Sequence, residues 1–191
     1  MMTTADLDRL SGMASWAALL ALVLSGIALA LFFGGAGQFW GPVNDALVVI
    51  SVISLIPVVV GVIRAAGDRG APWILVISVA AVAGLVLIAA GQTLLIVGRL
   101  SLEGSFVTGG VGVVPVLAWI VVVAILGLAG DVLPREVGWL AVACLVAIVA
   151  MTIVGMVTRG PALWVAAIAL LILLAAWLAR LAIAFGERAS A

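Results

Sequence analysis

The stretch "VVISVISLIPVVVGVI", Val48 to Ile63, decides the fold. In water so much Val and Ile would read as a strand. The run is long for a strand and shows no alternation of apolar and polar residues. In hydrocarbon, every backbone N–H and C=O must be satisfied within its own segment or in a closed barrel. The stretch therefore reads as a helix in lipid.

The rest of the chain fits this reading. Of 191 residues, 68% are hydrophobic and 8% charged, whereas a soluble domain carries about 25% charged residues. The charges leave uncharged windows at 10–44, 46–63, 70–98, 104–130, 137–158 and 160–179. A spanning helix needs about 20 predominantly apolar residues. Five windows meet that length, and the second is extended by Val43 and Asn44 across Asp45. The expectation is an all-α integral membrane bundle, one transmembrane domain over 1–191. Its six helices lie near 13–33, 43–65, 72–98, 111–130, 136–157 and 161–184. The link Arg99–Gly110 is expected as a loop, like the Gly-rich Gly34–Gly41. "TTADLDRL" (3–10) is expected as a short interfacial helix capped by Thr4, with Asp6 in its first turn.

Arginine supplies all the positive charge and sets the orientation. With the N-terminus inside, Arg9, Arg64, Arg69, Arg135, Arg180 and Arg188 fall inside, and Arg99 and Arg159 outside. This excess favours both termini in the cytoplasm. Trp16, Trp73 and Trp139 then mark one interface, and Trp40 and Trp164 the other. Trp119 and Trp177 lie deeper, as packing residues. A cleaved signal peptide ending at "ALA" (28–30) is the rival reading of the first helix. It is disfavoured by the length of the apolar stretch and by Asp6 and Asp8 before it.

Six helices divide into three plus three of opposite topology. "RGAPW" (69–73) and "RGPALW" (159–164) open the third helix of each half. Pro42 with Asp45, and Pro134 with Glu136, open the second. An inverted repeat of transporter type is one reading. Independent helix starts that favour Pro, an acid and an interfacial Trp are the other.

The absent residues narrow the chemistry. The chain has no His, Lys or Tyr and one cysteine, Cys144, in the apolar run "VACLVA". An imidazole base, a thiolate metal cluster and an internal disulfide are all excluded. The net charge of zero points away from nucleic acid. "GGAGQ" (34–38) lacks the Lys and Ser or Thr of a phosphate loop. "EGSFVTGGVG" (103–112) is no hydrolase elbow in a chain without His. No cofactor or metal is expected.

Ionisable groups inside a span mark function by default, and no window has one at its centre. Arg180 lies near the inner end of the sixth helix, within reach of headgroups. At about 100° per residue, Asn44, Ser51, Ser54 and Gly61 share one arc of the second helix. Pro57 kinks the helix beside that arc. On the third helix, Ala81, Gly84, Gly91 and Gln92 form a matching stripe, and Arg99 follows on the same face. Ala17, Ala21 and Ser25 on the first helix, and Ala143, Ala147 and Gly155 on the fifth, suit close helix packing. The candidate site is an outer polar group, Asn44, Asp45, Gln92, Arg99 and Glu103, with Arg99 pairing Asp45 or Glu103. Asn44 faces the bundle, whereas Asp45 serves the positive end of its helix. The competing account is an ordinary solvated interface.

"WGPVNDAL" (40–47) and "LPREVGWLAV" (133–142) resemble segments of uncharacterised bacterial polytopic membrane proteins of the domain-of-unknown-function type. The resemblance covers about a tenth of the chain. It implies a small multi-pass protein of the bacterial cytoplasmic membrane and brings no activity and no site residues. Two functions follow from the residues. The first is a non-enzymatic accessory or structural protein whose partners are lipid, other membrane proteins or further copies of itself. The second is a small transporter or channel for an uncharged or apolar solute, with a mid-membrane cavity between the second and third helices.

Overall fold

A computed structural model of the chain describes residues 3–67, 71–158 and 160–190. Arg69 and Arg159, which bear on the orientation and on the repeat, lie outside the described residues. Six helices follow one another: α1 Thr4–Phe33, α2 Trp40–Ala66, α3 Pro72–Ile96, α4 Leu102–Ala129, α5 Arg135–Val157 and α6 Pro161–Ser190. Each is long and apolar enough to cross a membrane. The shortest has 23 residues, or about 35 Å at 1.5 Å per residue, against a hydrocarbon core of about 30 Å. Each helix packs on the next, and α6 returns to α1, closing a ring.

Two helix starts differ from the sequence expectation. The N-terminal segment is not a separate interfacial helix but the first turns of α1, and its cap is Thr3, not Thr4. Thr3 Oγ1 accepts from the Asp6 N–H at 3.2 Å, and the Asp6 carboxylate accepts from the Thr3 N–H at 2.9 Å. This reciprocal box satisfies two donors that a helix start leaves bare. The expected loop to Gly110 is also corrected: α4 begins at Leu102, where Ser101 Oγ accepts from the Gly104 N–H at 3.1 Å. Helical Gly109 and Gly110 each cost about 1 kcal/mol relative to Ala. Bare backbone groups in hydrocarbon cost several, so the helix wins.

The terminus end of the ring is densely packed. Val58, Val59 and Val62 of α2, Leu181 and Phe185 of α6, and Val137 and Ala141 of α5 are all buried there. Trp119 and Trp177 form the layer above, in edge-to-face contact at 6.0 Å. Glycines allow the helices to approach. A Cβ on Gly84 would strike the carbonyl oxygen of Gly112 across the α3–α4 crossing. A Cβ on Gly127 would lie 2.6 Å from Cα of Gly138 across α4–α5. Outward faces carry exposed Leu, Ile, Val and Phe, as lipid contact requires. Arg180, expected at the headgroups, lies 3.5 Å from the Glu136 carboxylate.

Candidate functional site

Two features stand out among the described residues: a polar seam between α1 and α2, and an apolar cavity beside it. The seam has three rungs. Ser11 Oγ lies within bonding distance of the carbonyls of Leu7 and Pro57, at 2.9 and 3.0 Å. Ser51 Oγ donates to the Ala18 carbonyl at 3.1 Å. Ser25 Oγ donates to Asn44 Oδ1 at 2.7 Å. On α1 the rungs fall at residues 11, 18 and 25, every two turns along one face. Small residues keep that face narrow, so the hydroxyls reach the opposite backbone. Gly61 is essential to the contact, since a Cβ there would meet Ser11 Oγ.

Asn44 is half-buried and binds α1 through Ser25; its Nδ2 also donates to Asp45 Oδ1 at 3.2 Å. The other candidates stand apart from this cluster. Gln92 is half-buried, and its Oε1 has no hydrogen-bond partner. Arg99 and Glu103 are exposed near and in the first turn of α4. Among the described residues Arg180–Glu136 is the one ion pair, so Arg99 pairs with neither Asp45 nor Glu103. Ser25 had its place in the α1 stripe, but its partner was hidden. The spacing of Ser11, Ala18 and Ser25 was the available signal.

The seam yields a direct prediction. Ser25→Ala and Asn44→Ala should each destabilise the protein, and their double-mutant cycle should show a coupling of about 0.6 kcal/mol, at most about 1.7. Unfolding in mixed detergent micelles measures it, and zero coupling would mean that the bond does not form in the membrane protein.

Inside the ring lies a cavity of about 240 Å³ with almost wholly apolar walls. Leu22 and Ser25 of α1, Val48 to Leu55 of α2, Val113 to Ile120 of α4, Ile148 of α5, and Leu174 to Leu178 of α6 contribute to its lining. Trp119 and Trp177 border it where the packed terminus half begins. This cavity is not the expected one between α2 and α3, since no α3 residue lines it. The small stripe of α3 is used for close contact instead: Gly84 meets Gly112, and Gly91 meets Thr108.

A second space, about 280 Å³, is a groove between α1 and α6 toward the end away from the termini. Leu22, Ser25 and Leu174 belong to the walls of both spaces. Exposed Trp164 and Ile168 flank the groove, on a surface that faces lipid. Gly26 and Leu171 approach closely across it: a Cβ on Gly26 would sit 2.7 Å from Leu171 Cδ2. Comparison with protein-family models, curated proteins and solved structures gives no match. The geometry therefore carries the functional argument.

Proposed function

We propose that this chain is a non-enzymatic protein of a bacterial cytoplasmic membrane, with both termini inside, that accommodates an uncharged, apolar molecule drawn from the bilayer. The observation that carries the reading is the central cavity sharing part of its wall with a groove on the lipid-facing surface. An apolar cavity of about 150 Å³ stays dry and takes up benzene, and this one is larger at about 240 Å³. Among the described residues, none that lines either space is charged. A charged guest would lose its hydration with no counter-charge in return. The Arg distribution supports termini on the inner side, and the resemblance of two short segments supports a bacterial membrane. Other membrane proteins or further copies of the chain are the natural partners of its remaining exposed apolar faces.

The test is quenching of the buried indoles by 1-bromododecane, taken as the signal lost in the Trp119→Phe/Trp177→Phe double variant. Saturable quenching is expected in the intact protein. A Gly26→Cys/Leu171→Cys disulfide, made in a Cys144→Ala background, should slow it at least about tenfold by closing the groove. Quenching that never exceeds that of the double variant overturns the reading.

One observation favours a second reading, transport of such a solute. Pro57 sits where α2 passes from the cavity wall, ending at Leu55, to the packed residues Val58 and Val59. A proline there removes a helix hydrogen bond and makes a natural hinge. Flux into proteoliposomes above that of empty vesicles would support transport, and its absence for solutes that bind would leave binding alone.

A further inference from the structure

The cavity wall is uneven in hydrogen-bonding capacity. The hydroxyls of Ser25 and Ser51 have already given their protons, to Asn44 Oδ1 and to the Ala18 carbonyl. Trp119 and Trp177 have not. They are 1% and 2% exposed, and neither indole Nε1–H has an acceptor. Their rings touch edge to face, and both border the cavity. An indole N–H is a donor only and, when buried, ordinarily finds a partner. Hydrocarbon offers no water to take that place. Two buried donors without acceptors, on rings that touch each other and border one apolar cavity, are therefore a feature that packing alone does not account for.

We infer that the guest carries a carbonyl oxygen on a hydrocarbon chain, and that the Trp119–Trp177 pair binds this oxygen. This rests on the apolar-guest reading and narrows it. A carbonyl brings acceptor lone pairs and no donor that needs satisfying, which matches what the two indoles lack. Each Nε1 is covered by protein, so binding requires an indole edge to turn toward the cavity that both rings border. The chain of the guest runs past Leu22 and Leu174 into the groove between α1 and α6. The required chemistry is found in acyl esters and in isoprenoid quinones.

The experiment follows the indole N–H resonances of ¹⁵N-tryptophan-labelled protein in nanodiscs, assigned with Trp119→Phe and Trp177→Phe. The probes are dodecan-2-one and dodecane, which share a chain length and differ in the carbonyl. The ketone should move at least one of the two resonances downfield and bind more tightly than the alkane. Either Phe variant, which keeps an aromatic ring and loses the N–H, should reduce that preference by about fivefold. A methyl dodecanoate arm and a decyl-quinone arm then identify the source, the tighter binder naming it. If both probes contact the methyls of Ile148 and Leu174 but no indole resonance moves, the carbonyl inference is overturned and the apolar-guest reading stands. If neither probe reaches those methyls, both are overturned.

Discussion

Gly112→Ala should destabilise the protein, while Gly109→Ala and Gly110→Ala, one turn or less away on the same helix, should stabilise it slightly. All three replace a helical glycine by the best helix former, a change worth up to about 1 kcal/mol in favour of the variant. The surroundings decide the sign. A Cβ at Gly109 or Gly110 meets nothing within 4 Å. At Gly112 it would lie 2.7 Å from the carbonyl oxygen of Gly84 and from Cγ1 of Ile88. The oxygen belongs to a backbone and cannot rotate away, so α3 and α4 must separate. Overpacking of this kind costs about 1–3 kcal/mol, occasionally more. Gly84→Val should sit at the upper end, because its added carbons face both the Gly112 carbonyl and the Pro115 ring. Midpoints of thermal unfolding in one detergent, together with yields of folded protein, measure the series. Equal midpoints for the Gly109, Gly110 and Gly112 variants would mean that α3 and α4 do not cross so closely.

The helices were legible because lipid removes the alternatives. Charge positions alone delimit six windows, and hydrocarbon forbids unpaired backbone, so length and polarity sufficed. The helix starts were less legible. Thr3 and Ser101 act through caps only a few residues long, and the glycines at the start of α4 read as loop although unpaired backbone in hydrocarbon costs more than a helical glycine does. The site was least legible. Asn44 was found from the stripe it shares with Ser51, but Gln92, Arg99 and Glu103 joined it only by lying at the same level of the bundle. Level along a helix is readable from sequence; which neighbouring helix a side chain meets is not. The cavity had no residue signature at all.

The distribution of close approaches explains why the space opens toward α6. On the α3, α4 and α5 side, glycines face backbone across two crossings. Between α1 and α6 a glycine faces backbone near the termini, where a Cβ on Gly12 would lie 3.2 Å from the Ala182 carbonyl oxygen. About four turns toward the far end, Gly26 faces not backbone but the Leu171 side chain. Backbone-to-backbone contact fixes the separation of two helices, whereas a leucine can change rotamer. The α1–α6 seam is thus fixed at one end and adjustable at the other, and the adjustable end is the one with the groove.

Trp119→Ala should bring the largest combined change in stability and binding. Trp119 is fully enclosed and stands between the cavity and the buried residues of the terminus half. In a soluble protein the loss of such a side chain costs about 3–5 kcal/mol, part of it for transfer from water. Here the unfolded helices also lie in lipid, so that part falls away and the packing part remains. At about 24 cal/mol per Å³, and with roughly 100 Å³ of side chain removed, the cost is about 2–3 kcal/mol. The edge-to-face contact with Trp177 is lost as well. At the same time the cavity should deepen toward the buried cluster to which Trp119 belongs, so the variant should take up longer or bulkier bromoalkanes than the intact protein does. Trp119→Phe keeps most of the ring and should lose less than half as much stability. Denaturation in mixed micelles gives the first quantity, and bromoalkane quenching of Trp177 the second. A variant that is destabilised yet accepts no larger guest would show that the bundle closes over the space. That result would separate Trp119 as a packing residue from Trp119 as the floor of a binding site.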